Sequence, residues 1–268
     1  MRPQERQRMF ADAEAYERFM GRWSRLVAPL LLEFAGIADG SRVLDVGSGT
    51  GSLAFEMARR WPRCQVVGID PSKEYVAYAS AREHGSNVRF ESGDAQALSF
   101  PTGSFDACVS LLVFNFIPDP RKALSELRRV TRPGGVIAAA NWDYGDGMRM
   151  LRAFWDAAVA LDRAAEKLDE KHMPLCRAGE LATSWKAAGL KDVEERPIEI
   201  KMHFQSFDDY WRPFLEGQGP AGAYVAKLSP ERRGLLRTEV QRHLPAAAGN
   251  GAFELGGRVW AVRGTVPA

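Results

Sequence analysis

The stretch best suited to hold a ligand is a loop with glycine at alternate positions, Asp45-Val46-Gly47-Ser48-Gly49-Thr50-Gly51. Glycine tolerates positive φ and puts no Cβ between the backbone and an approaching molecule. The spacing speaks against two phosphate-binding loops. A dinucleotide fingerprint wants a sixth-place glycine, where this chain has Ser52, and a nucleoside triphosphate loop ends in Gly-Lys-Ser/Thr, whereas no lysine lies between Val43 and Arg60. A second acidic position, Asp70, closes the apolar run that begins at Cys64. In a doubly wound sheet that is about where an acid accepts the two hydroxyl protons of a ribose.

These residues need a strand, a tight turn and a helix to hold them, and the flanking composition supplies all three. Val43–Val46 suits a buried strand and Ser52–Ala58 suits a helix. Downstream, Pro71 and Ser72 open a helix with Ala77, Tyr78 and Ala81 on its sheet face, and Asn87–Phe90 reads as a third strand. The most apolar run, Phe105–Phe116, predicts a central strand buried on both faces, stopped by Pro118 and Pro120. A helix with Ala123, Leu124, Leu127 and Val130 on one face follows, then Arg132-Pro133-Gly134-Gly135 and a strand over Val136–Ala140 that exits at Asn141-Trp142-Asp143-Tyr144. Open parallel sheets bind ligands at the carboxyl edge of their strands, so the ends of the last two strands enter the same crevice.

Together, Asp45–Gly51, Gly68-Ile69-Asp70 and Gly93-Asp94-Ala95 resemble the class I S-adenosylmethionine-dependent methyltransferases, and most closely the small-molecule branch related to ubiquinone and menaquinone biosynthesis. The motifs cover residues 41 to 140. The resemblance implies a Rossmann-like, doubly wound α/β fold, with a mostly parallel seven-stranded sheet whose last strand is antiparallel, and helical lid insertions. It implies S-adenosylmethionine as cofactor, with Gly47, Ser48 and Gly49 at the loop, Asp70 and Pro71 at the ribose, and Asp94 and Ala95 at the adenine. Ser110 and Leu111 would lie beside the methionine arm, with Phe114 and Asn115 facing the methyl acceptor. Asn115-Phe116-Ile117-Pro118 departs from the Asp/Asn-Pro-Pro-aromatic clamp of amino-group methyltransferases. A helix before the first strand closes over the cofactor in such enzymes, and Tyr16–Ser24 looks like that lid. Within it, Arg22 could form a bidentate pair with the methionine carboxylate, and Tyr16 joins it as a cofactor contact. At the end of the fifth strand, Trp142 and Tyr144 are expected at the acceptor.

The chain has 268 residues, 46% hydrophobic and 26% charged, enough to bury a full core. Residues 1–36 read as an amino-terminal helical lid and 37–268 as the main domain, with insertions at about 145–177 and 206–250. Two helices meeting at Gly21 are expected in the lid. A net charge of +2, without a block of like charges, gives no footprint for nucleic acid. No stretch has the length or apolarity of a membrane span, and Cys64, Cys108 and Cys176 form no Cys-x-x-Cys pair, so a cytoplasmic protein without a disulfide framework is expected. The four histidines show no metal-ligand spacing.

The insertions carry Phe154, Trp155, Phe207, Tyr210, Trp211, Phe214 and Tyr224. These rings could line a pocket for a mostly apolar or cyclic small-molecule acceptor, pack the insertions, or form a homodimer face. Methyl transfer is an in-line displacement governed by alignment, so the catalytic residue stays unassigned. For an acceptor that must lose a proton, His172, His203, Asp143 and Tyr144 are the available bases. Two other readings stay open: an S-adenosylmethionine-binding protein without transfer activity, and a nicotinamide-dependent oxidoreductase.

Overall fold

The computed structural model describes residues 12–82, 84–245 and 251–268. The beginning of the expected lid and residues 246–250 of the second insertion lie outside the described residues. The chain divides into two compact units. A sheet unit comprises Gly21–Asn141, Pro174–Ile198 and Val259–Ala268, and an aromatic unit comprises the residues up to Met20, Trp142–Met173 and Glu199–Arg258.

Seven strands form one sheet in the order β3-β2-β1-β4-β5-β7-β6. They are β1 (Arg42–Val46), β2 (Gln65–Asp70), β3 (Val88–Ser92), β4 (Phe105–Leu111), β5 (Thr131–Trp142), β6 (Lys191–Phe204) and β7 (Phe253–Thr265). Pairings β1 with β2, β2 with β3, β1 with β4 and β4 with β5 are parallel. Gly134 N–H donates to Val266 O and Val266 N–H to Gly135 O, while Asp143 N–H donates to Arg258 O, so β7 runs antiparallel to β5. The doubly wound order reverses between β1 and β4, which is where such sheets open a ligand crevice.

Within the sheet unit, α1 (Arg22–Ala35) buries Trp23, Val27, Ala28, Leu31 and Leu32, and stops where Gly36 takes φ 68° and returns its N–H to Leu32 O. α2 (Ser52–Arg60) and α3 (Lys73–Ala81) follow β1 and β2. On another part of the core, α4 (Pro120–Val130) and α6 (Glu180–Ala187) bury Leu124, Leu127, Val130, Leu181 and Trp185 with Leu44, Val46, Ile137 and Ala139. Trp185 Nε1 donates to Ile137 O at 3.0 Å, so the indole is buried without an orphaned donor. At the sheet centre, Cys108 is fully buried and burial pushes its thiol up to about 12, with the Thr131 hydroxyl opposing the shift.

The aromatic unit contains α5 (Arg149–Leu161), α7 (Phe207–Trp211), α8 (Gly219–Ala226) and α9 (Pro230–His243). Phe154 stacks on Phe214 with centroids 4.6 Å apart, Phe19 meets Phe214 edge-on at 5.1 Å, and Tyr210 donates its hydroxyl to Met150 O at 2.8 Å. Phe154, Trp155 and Phe214 are fully buried. Of the three roles left open for these rings, packing is the one their contacts fill. A buried ion pair joins α5 to the segment that follows it: Arg152 donates to both Asp169 oxygens at 2.7 and 2.8 Å, and holds the Asp169 carboxyl below its usual range.

Several element limits differ from the sequence reading. Instead of a break at Gly21, the chain is helical over Ala13–Tyr16, π-helical over Glu17–Gly21, and α-helical from Arg22, with Gly21 itself at φ −58°. β4 ends at Leu111 rather than Phe116, because Leu112 turns to φ 65° and Phe114–Phe116 winds into a 3-10 turn. β5 begins at Thr131, so Arg132–Gly135, read as a stop signal, is strand.

Candidate functional site

The glycine loop leaves β1 with Gly47 at φ 72°, Gly49 at φ 53° and Gly51 at φ 92°. Residues with a Cβ pay a steric penalty in this region, which explains the alternate glycines. Gly47 also has no room for a side chain, since a Cβ there would lie 2.5 Å from both methyl carbons of Val113, just beyond β4. Gly47 and Ser48 N–H both donate to Ile69 O, at 2.8 and 2.9 Å. The loop is therefore fixed by β2 and by the segment after β4.

Asp70 has a second task besides the one its position predicts. Its Oδ2 accepts the Gly49 N–H at 2.9 Å and its Oδ1 accepts the Ser72 N–H at 2.8 Å. The carboxylate ties the loop to the start of α3 and keeps a lone pair on each oxygen for a ligand. Burial pushes its pKa up to about 6, against the pull of these two N–H groups.

Asp45 is a candidate site residue that the sequence reading did not single out. It is 1% exposed, and neither carboxylate oxygen has a hydrogen-bond partner of normal geometry. Burial pushes it up to about 8, with Asp70 adding to the shift and the Ala54 N–H opposing it. The buried hydroxyls of Ser48 and Ser52 lack partners as well. Three unsatisfied polar side chains thus lie between the end of β1 and the first residue of α2. The sequence signal for Asp45 is a carboxylate inside the apolar run Val43–Val46, a position that rarely holds one without a partner.

The other expected contacts divide. Asp94 is exposed and caps its own turn, its Oδ1 accepting from Gln96 N at 2.8 Å and Gln96 Nε2 at 3.0 Å. Pro71 is exposed and Ala95 half-buried. Ser110 is fully buried and donates its hydroxyl to Val46 O at 2.8 Å, so it ties β4 to β1, and Leu111 beside it is buried. Phe114 lies 5.0 Å from Trp185 and is 1% exposed, which places its ring in the core rather than facing an acceptor. Asn115 is buried next to it. The Arg22 guanidinium sits over the Trp23 ring at 4.3 Å. Tyr16, Trp142 and Tyr144 belong to the aromatic unit, where Trp142 and Tyr144 are buried and the Tyr144 carbonyl accepts from Arg152.

Among the expected bases, Asp143 accepts from Arg258 Nε and Nη2 at 2.9 and 2.7 Å, and His172 Nε2 lies 3.3 Å from Glu166. His203 is exposed. Among the described residues no cluster of His, Cys, Asp and Glu could hold a metal ion, and no helix is long and apolar enough to cross a membrane.

The sheet order and this loop are similar to the Rossmann-like fold of solved methyltransferase structures. Residues 44–139 match the family described as a methyltransferase domain, so the resemblance read from the motifs holds over that stretch. The demethylmenaquinone methyltransferase of Thermus thermophilus is 43% identical over 118 residues, 43% of this chain and 52% of that protein. The chain spans about half the length of the curated relatives it matches. Among solved structures, phosphoethanolamine N-methyltransferase 2 of Haemonchus contortus, with S-adenosyl-L-methionine, is similar at a TM-score of 0.59 and 21% identity, over 96% of this chain and 57% of that one. The [4+2]-cyclase SpnF is similar at a TM-score of 0.58 and 23% identity, over 91% and 82% of the two chains. At these identities the structures share the fold.

Proposed function

We propose that this chain binds S-adenosylmethionine at the Gly47–Gly51 loop and transfers its methyl group to a small, apolar or aromatic acceptor. One observation carries the cofactor reading. Asp45, Ser48 and Ser52 leave unsatisfied polar atoms around glycines with no Cβ, and Asp70 keeps lone pairs beside them. Such a cradle suits a ligand with a diol and an amino-acid arm that bears an ammonium, since buried carboxylates call for hydrogen bonds and a counter-charge. Asp70 would accept from the ribose hydroxyls, Gly49, where a Cβ would meet nothing within 4 Å, would give the ligand access to the backbone, and Asp45 would balance the ammonium of the arm.

The cofactor, when bound, supplies an electron-poor methyl on sulfur. An acceptor lone pair forms the new bond as the sulfur–carbon bond breaks, the sulfur keeps that electron pair as a thioether, and a proton on the acceptor passes to solvent or a base. The protein's part is alignment and exclusion of water. A cytoplasmic setting suits the three free cysteines.

A reading as a binding protein, or as a catalyst of another reaction on the same fold, draws on the Arg258 grip on Asp143 and on the likeness to a cyclase. Calorimetry separates the readings. S-adenosylhomocysteine should bind and NAD should not. Asp70→Ala should weaken binding by about 1.5–3 kcal/mol, the range for bonds to a charged acceptor. Unchanged affinity in that variant removes Asp70 from the site, and NAD binding in place of S-adenosylhomocysteine refutes the reading.

A further inference from the structure

Three non-glycine residues among those described have positive φ, and two of them converge on adjacent residues of β5. Leu112, at φ 65°, donates its N–H to Ala140 O at 2.7 Å. Leu175, at φ 60°, gives its carbonyl to Asn141 Nδ2 at 2.9 Å. All four residues lie in the sheet unit. A branched side chain avoids this backbone region, and such residues persist where the surroundings over-determine them, often at functional sites.

Asn141 carries an independent sign. It is fully buried, and its Oδ1 has no hydrogen-bond partner. The bond from Nδ2 to Leu175 O fixes which end of the amide is which, because a flipped amide would set two oxygens against each other. A fixed, buried acceptor atom with no protein partner therefore stands at the carboxyl edge of β5. Its neighbour Ala140 pairs in register with Leu111 at the end of β4. That edge is where a parallel sheet meets its ligand.

We infer that Asn141 recognises the methyl acceptor, its Oδ1 taking a hydrogen bond from a neutral hydroxyl or amine of that molecule, with the Leu112 and Leu175 turns holding the amide in place. The inference rests on the methyl-transfer reading above and narrows the acceptor class. A carboxylate or phosphate group has no proton to give this oxygen, whereas an alcohol, phenol or neutral amine does.

The test uses the full chain, a broad metabolite extract and S-adenosylmethionine with a deuterated methyl group. Asn141→Ala should bind S-adenosylhomocysteine within about twofold of wild type, melt close to it, and form about tenfold less labelled product, as a lost recognition hydrogen bond requires. Asp192→Gly accepts the same backbone region at the third such residue, which makes no contact in the proposal, so it should label like wild type. The wild-type products should carry the label on molecules with a hydroxyl or amine. Equal labelling by Asn141→Ala, or an equal loss in Asp192→Gly, overturns the inference, the first through water satisfying the oxygen and the second because any relaxed backbone turn costs the same activity. If Asn141→Ala does not fold, Asn141→Ser takes its place under the same criteria. Wild type that binds S-adenosylhomocysteine but labels nothing overturns the acceptor contact together with methyl transfer and leaves the cofactor reading standing. Wild type that does not bind it overturns the cofactor reading too.

Discussion

Asp45 and Asp70 give the loop a pH dependence whose sign follows from burial. Carboxyls in an unfolded chain titrate near pH 4, whereas burial pushes these up to about 8 and about 6. The fold favours their protonated forms. Their contribution to stability is complete below the unfolded value and drains away as pH rises from there, the loss ending at about 6 for Asp70 and at about 8 for Asp45. The ligand-free protein should therefore lose melting temperature between about pH 4 and pH 8, and Asp45→Asn should flatten the upper part of that slope. A profile unchanged by the substitution would mean that Asp45 has a partner in solution. A cationic ligand prefers the ionised pair, so S-adenosylmethionine affinity should rise across the same interval. Asp70 was legible because the acid at the end of the second strand follows from topology. Asp45 was not, although it opens the same motif, since a motif names residue types and says nothing about which oxygens lack partners.

At the scale of elements, the loop and the segment after β4 act as one piece. Gly47→Ala would put a methyl against Val113 in a backbone region that disfavours it, costing about 1–3 kcal/mol as overpacking does. Val113→Gly removes all three close carbons, Cβ at 2.9 Å included, so the double variant should recover part of that loss in denaturant unfolding, a coupling of about 0.5–3 kcal/mol. Purely additive losses would show that backbone strain alone, and not the clash with Val113, disfavours a methyl at this position. The order of strands and helices along β1–β5 was readable from apolar runs and glycine breaks. The end of β4 was not, because Val113, Phe114 and Phe116 continue an apolar pattern while the backbone turns away at Leu112. Apolarity marks burial, and Phe114 satisfies it from a 3-10 turn against Trp185 as well as a strand residue would.

Across the whole molecule, residues 44–139, where the family match lies, fall inside the sheet unit. The aromatic unit is assembled from three separated stretches, and the meeting of Phe19 with Phe214 and of Phe154 with the same ring could not be read from local spacing. The insertions were visible as interruptions of the strand–helix alternation. Their rings looked equally suited to a pocket, and only their contacts with one another assign them to a core.

Cys108 lends the protein a reporter of its own breathing. A thiol sealed under the Thr131 hydroxyl and pushed up to about 12 is closed to alkylation until the centre of the sheet opens. Its rate of reaction with iodoacetamide should then count those openings, and S-adenosylhomocysteine should slow the count in proportion to its occupancy. Labelling as fast as in denaturant would mean that β4 and β5 part freely under native conditions.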